Sequence, residues 1–161
     1  MKVTQYLYHA AGGWHTQPDL THSHLVFVFG ERKILEEGLI LEEIRGVCPH
    51  QHIVGCSTAG EINGVEVHDG SVVVTALQFN QISAETAVVK LSEFPESREA
   101  GVAVAQSIPH KGLKHVIVFS DGLHINGSKF VRAVASNLPS DVTVTGGLAG
   151  DGPNFSQTCV V

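Results

Sequence analysis

A mixed α/β domain, with a mixed β-sheet and helices built from two duplicated β-α-β units, is what these 161 residues predict. Three observations carry the prediction: short apolar runs rich in β-branched residues, helix-spaced apolar positions between them, and a recurrence of the pattern in the second half. A chain of this length is about one domain's worth and buries enough surface for one core. The sequence is 43% hydrophobic and 16% charged. That charge lies below the roughly 25% of an average domain and suits strands covered on both faces.

The run Leu25-Val26-Phe27-Val28-Phe29 is β-branched or aromatic and does not alternate with polar residues, so it reads as a strand buried on both faces. After Gly30, the positions Ile40, Leu41, Ile44 and Val47 recur at helical spacing, Pro49 closes the helix, and Ile53-Val54 opens the next strand. Ser71 to Leu77 reads as another buried strand. Glu85 to Leu91 reads as its neighbour, so the two predict a hairpin. Between Pro95 and Pro109, the face formed by Gly101, Val104, Ala105 and Ile108 predicts a helix whose small residues pack closely on a sheet.

The pattern then returns. His115-Val116-Ile117-Val118-Phe119 matches His24-Leu25-Val26-Phe27-Val28, a helix through Phe130, Val131, Val134 and Leu138 comes next, and Val142 to Thr145 leads into Gly146-Gly147-Leu148-Ala149-Gly150-Asp151. Gly55 stands 31 positions after His24, and Gly146 stands 31 after His115; both loops end in Ala-Gly-acid, at Glu61 and Asp151. The repeat therefore spans 24–61 and 115–151. A β-α-β crossover places such loops at the carboxyl edge of its sheet, where open α/β sheets bind ligands.

In Gly55-Cys56-Ser57-Thr58-Ala59-Gly60-Glu61, the absence of bulk lets successive backbone N–H groups face one concavity and favour an anion. Backbone N–H groups near Ser57, Thr58, Gly147 and Leu148 would hold the anionic end, Glu61 or Asp151 would face an ammonium group, Asp121 and Asn126 would add polar contacts, and Cys56 completes the ligand-binding set. That set suits a small zwitterion or carboxylate. The plainer alternative is that both loops are tight turns and the two acids merely cap the segments after them.

Cys56-Ser57 after a strand also raises a nucleophile, and hence a hydrolase or transferase, but the loop lacks the Gly-x-Ser-x-Gly elbow and no base partner is identifiable. A buried structural thiol and no catalytic residue is the preferred reading. The pairs His22-Ser23-His24 and His50-Gln51-His52 lack a further ligand at metal spacing, so they read as solvated strand entries; no metal and no cofactor is expected. Three well-separated cysteines without a Cys-x-x-Cys pair read as reduced thiols. Net charge is −6 with no cluster of Lys or Arg, which argues against nucleic acid or an anionic membrane as partner. With no leader-like or spanning segment, the chain reads as cytoplasmic.

Taken in order, LVFVFG, IVGCSTAGEI, SVVVTALQF, HVIVFSDGLHINGS and VTVTGGLAGDG resemble the blocks of the FIST N-terminal domain family, sensor domains of bacterial signal transduction. The resemblance covers nearly the whole chain and implies a single small-ligand-binding sensory domain over 1–161, with amino acids as ligand class and no catalytic activity. It also implies a signalling output module, of histidine kinase, chemotaxis or nucleotide-cyclase type, in trans or in a longer parent chain. A partner-binding structural module without ligand is the remaining alternative. The sequence stops at Phe155 to Val161 inside what reads as a strand, whereas members continue, so the domain is expected to be cut short at its C-terminal end. That segment is expected on a neighbouring chain or an open sheet edge, burying Phe155 and Val160, and the uncovered edges predict a homo-oligomer.

Overall fold

The structure, a computed structural model, describes residues 1–49 and 52–161. It is a mixed α/β structure made of two compact units, 1–84 with 149–161 and 85–148.

The first unit carries strands β1 (Lys2–His9), β2 (Gly13–Trp14), β3 (Leu25–Gly30), β4 (His52–Ser57) and β7 (Ser71–Gln78), in the order β2-β1-β7-β3-β4. Only the β3–β4 pairing in this sheet is parallel. Helices α1 (Arg32–Glu37) and α2 (Leu39–Val47) form the crossover between β3 and β4. Their Ile34, Leu35, Ile40 and Ile44 pack with Val26, Val28, Val72 and Val74 into the main core, and each such buried side chain stabilises the fold by about 1.5–3 kcal/mol. β5 (Glu61–Asn63) and β6 (Glu66–His68) make a small antiparallel hairpin.

The expected two-sided burial of Leu25 to Phe29 holds on one face: Val26 and Val28 are buried, whereas Phe27 and Phe29 are half-buried and stack on each other. The expected hairpin between Ser71–Leu77 and Glu85–Leu91 does not form. β7 already pairs with β1 on one edge and β3 on the other, so no edge is left for a following strand. Residues 85–90 have no regular structure, and Val88 is 87% exposed.

In the second unit, α3 (Ser97–Gln106) packs its Ala100, Gly101 and Ala105 against α4 (Gly127–Ser136), so the small-residue face meets a helix and not the expected sheet. β8 (His115–Ser120) pairs in parallel with β9 (Thr143–Leu148), with α4 as the crossover. Ala100, Phe130 and Val134 form a second core, joined by Val118 and Val144.

Each unit thus holds a parallel strand-helix-strand motif with a glycine on its second strand. In both ladders that glycine faces a valine: Gly55 opposite Val28 and Gly146 opposite Val118. The sequence match sets Val28 against Phe119, one residue further on. Because side chains alternate along a strand, a one-residue offset decides which face a residue occupies.

Candidate functional site

β3 and β4 run side by side, so their carboxyl ends deliver Gly30 and Ser57 to the same sheet edge, with Arg32 just beyond β3. The glycine that opens the loop has a steric cause. A Cβ on Gly55 would sit 1.8 Å from the Val28 carbonyl oxygen, and one on Gly146 would sit 1.9 Å from that of Val118. No side chain fits at either position, whether or not an anion ever approaches.

Ser57 is fully buried and pins the C-terminal segment to β4. Its hydroxyl donates to the Gly150 carbonyl at 2.6 Å and accepts from the Cys159 N–H at 3.0 Å. Its own N–H donates to the Cys159 carbonyl at 2.8 Å, and the Gly150 N–H donates to the Ser57 carbonyl at 2.7 Å. The Thr58 N–H donates to the Gly30 carbonyl at 3.0 Å. The Ser57 and Thr58 amides, expected to hold an anion, are therefore satisfied within the protein.

The two acids have different surroundings. Asp151 Oδ1 accepts from Arg32 Nε at 2.7 Å, while Oδ2 accepts from the Ser156 N–H and hydroxyl and the Gln157 N–H at 2.9, 3.0 and 3.2 Å. The Arg32 guanidinium, and then the Ser156 amide, hold its carboxyl well below the usual carboxylate range. Arg32 also pairs with Glu36 through Nη1. Glu61, 2% exposed, accepts from two hydroxyls: Thr58 Oγ1 on Oε1 and Ser71 Oγ on Oε2, each at 2.7 Å. No ion pair reaches Glu61 among the described residues.

Cys56 is buried, and burial pushes its thiol up to about 11, with Cys159 nearby adding to the shift. Such a thiol is poorly suited to nucleophilic attack at neutral pH. Burial likewise raises Cys48 and Cys159.

The C-terminal segment lies on the outer edge of β4, as the open-edge expectation had it. Val161 and Gly55 exchange both backbone hydrogen bonds, at 3.0 and 3.3 Å, and Val160 bridges Cys56 in antiparallel sense. The expected burial of Phe155 and Val160 does not occur: they are 77% and 47% exposed. Docking uses backbone groups, Ser57, the Arg32–Asp151 pair and the side chains of Cys159 and Val161, which pack against the main core, and leaves Phe155 and Val160 outward.

The structure thus gathers Cys56, Ser57, Thr58, Glu61 and Asp151 in the first unit, with Arg32, Ser71 and Ser156 as partners the sequence did not single out. Arg32 had one signal, a lone guanidinium soon after a strand exit; the two serines had none. The remaining candidates belong to the second unit. Asp121 comes directly after β8 and accepts through Oδ1 from the N–H groups of Leu123 and His124, shaping that turn. Asn126 caps α4 by accepting from the Lys129 N–H at 3.0 Å. Gly147 and Leu148 end β9, opposite Phe119 and Ser120.

Of the histidine pairs, His24 accepts the Phe79 N–H on Nδ1 at 2.8 Å and stacks on that ring, a structural role. His50 and Gln51 of the other pair lie outside the described residues.

Residues 24–161 of the 161-residue chain match the FIST N domain family model. The chain belongs to the FIST N domain family. This family is generally one of sensory domains in signal transduction. No curated protein and no solved structure matches this FIST N domain. Among its described residues, no helix is long and apolar enough to cross a membrane.

Proposed function

We propose that this FIST N domain is a cytoplasmic sensory module of bacterial signal transduction that binds amino acids or similar small zwitterions and carboxylates. It passes occupancy to an output module of histidine kinase, chemotaxis or nucleotide-cyclase type, and works as a homo-oligomer. The observation that carries this reading is the family match over residues 24–161. Two placements support it. Cys56, Ser57 and Thr58 in the first unit, and Asp121, Gly147 and Leu148 in the second, lie at or just after the carboxyl ends of parallel strands, where α/β sheets bind ligands. Glu61 is a buried carboxylate held by hydroxyls and by no ion pair among the described residues, an arrangement open to an ammonium group.

Binding is favoured over catalysis because both nucleophile candidates are engaged: the Ser57 hydroxyl is held by Gly150, and the Cys56 thiol is buried and shifted upward. A thermal-shift screen of the protein against the twenty amino acids and short carboxylates tests the reading. A ligand that binds only the folded state raises the melting midpoint in step with its concentration. A flat response across the whole panel rejects the proposed ligand class. Esterase turnover that disappears in Cys56→Ala or Ser57→Ala supports the enzyme alternative instead.

A further inference from the structure

We infer that the outer face of the β5–β6 hairpin docks a basic amphipathic helix of a partner protein; this goes beyond the small-ligand reading and does not depend on it. An antiparallel sheet with one covered face ordinarily turns its apolar residues inward and its polar residues to water. This hairpin is reversed. Glu61, 2% exposed, and His68, whose ring meets that of His9 on β1, face inward, whereas Ile62 and Val67, directly opposite each other in the ladder, are 64% and 71% exposed. Val65 is 99% exposed in the two-residue turn, a place that ordinarily takes Gly, Asn, Asp or Ser. The inner contacts fix the reversal: the Thr58 and Ser71 hydroxyls hold Glu61, and the Gly64 N–H donates to Gln5 Oε1 on β1 at 3.1 Å. The hairpin cannot turn over to hide its aliphatic side chains.

Charge selects the occupant of this exposed apolar cluster. Asp69 borders it beside Val67: a Cβ placed on Gly60 would lie 3.2 Å from Val67 Cγ1 and 3.8 Å from Asp69 Oδ1. Glu66, next to Val65 and with its side chain 74% exposed, borders it at the turn. The sequence has no Lys or Arg between Arg45 and Lys90, and among the described residues the ion-pair partner of Glu66 is His68, at 3.6 Å. A second copy on this face would bring the same carboxylates together, and an anionic membrane would meet the same repulsion. Three side chains also supply well under the roughly 800 Å² per partner of a stable interface, which suits a transient contact where charge adds to apolar burial. A helix meets both demands, with an apolar stripe on Ile62, Val65 and Val67 and flanking Lys or Arg opposite Glu66 and Asp69.

The test is a titration of the ¹⁵N-labelled protein with a capped leucine–lysine peptide patterned as an amphipathic helix, followed through the protein's amide resonances, with the glutamate-for-lysine counterpart in parallel. Saturable shifts centred on residues 61–69 are expected, with affinity at least about tenfold weaker for the acidic counterpart. Val65→Ser, at a fully exposed turn position, should keep the melting midpoint and weaken the lysine peptide by about tenfold. Glu66→Lys should weaken it as well and flatten its salt dependence. Equal affinity for the two peptides, shifts confined to other residues, or binding indifferent to both substitutions would each overturn the inference. Hairpin shifts that follow protein concentration without peptide, with dimers in sedimentation, would overturn it too, because a second copy would then be the occupant. Stabilisation by an amino acid in the thermal-shift screen should be the same in Val65→Ser as in the parent, so failure of either reading leaves the other standing.

Discussion

Arg32 Nε lies 2.7 Å from Asp151 Oδ1, joining the first residue of α1 to the start of the C-terminal segment, 119 positions along the chain. The other carboxylate oxygen gathers the Ser156 and Gln157 amides, so one acid both anchors the segment and shapes its turn. Asp151→Asn should therefore loosen residues 152–161 first. Hydrogen exchange is expected to speed up at Ser156, Gln157 and Cys159 while the amides of β7 stay protected. Unchanged exchange in the segment would count against the anchor.

The same pair sets an acid limit. Asp151 ionises more readily in the folded state than in the unfolded chain, where a carboxyl titrates near about 3.9. Its stabilisation is thus fully present above that value and declines as the pH falls towards the lower folded value. In urea titrations, the gap in midpoint between wild type and Asp151→Asn should be constant from neutral pH to about 5 and close progressively below about 4. A gap that persists at acid pH refutes the assignment.

Ser57→Ala removes a hydroxyl that both donates to Gly150 and accepts from Cys159 in a fully buried setting. Leaving such groups unsatisfied costs about 1–3 kcal/mol, and chemical denaturation at neutral pH should show a loss of that size. A neutral result means the segment is held without Ser57.

Glycine requirements should differ sharply along the two loops. Gly55→Ala and Gly146→Ala drive a Cβ into the Val28 and Val118 carbonyls and should yield insoluble or strongly destabilised protein, by more than about 4 kcal/mol. Gly147→Ala meets nothing within 4 Å and should stay within about 0.5 kcal/mol of wild type. Soluble expression and melting curves of the three variants separate these outcomes.

Cys56, titrating at about 11, is ionised in only about one molecule in a thousand at pH 8, so iodoacetamide should leave it unmodified in the native protein while labelling it fully in urea. The raised value also has a thermodynamic sign. The contribution is complete below the unfolded thiol value of about 8.5 and is lost as the pH rises towards about 11. Rapid native alkylation of Cys56, located by peptide mass, contradicts its buried setting.

By itself the sequence determined whatever local chemistry can carry. β-Branched runs define β3, β7 and β8, because such side chains suit a pleated, covered surface. Helical spacing defines α2, α3 and α4, and the ordered blocks from LVFVFG to VTVTGGLAGDG carry the FIST resemblance. Only tertiary structure decided pairing, since a strand's partners depend on which edges are already occupied. Glu85 to Leu91 has strand chemistry but no edge to join, whereas Lys2–His9, with no distinctive pattern, pairs along the full length of β7. The site divides in the same way. Gly55 and Gly146 are legible as special residues, but the reason, a carbonyl less than 2 Å from any added Cβ, comes from the neighbouring strand. Ser57 meets Gly150 across 93 positions and Arg32 meets Asp151 across 119. Hydrogen bonds over such separations depend on chain closure, to which residue type and local spacing are blind.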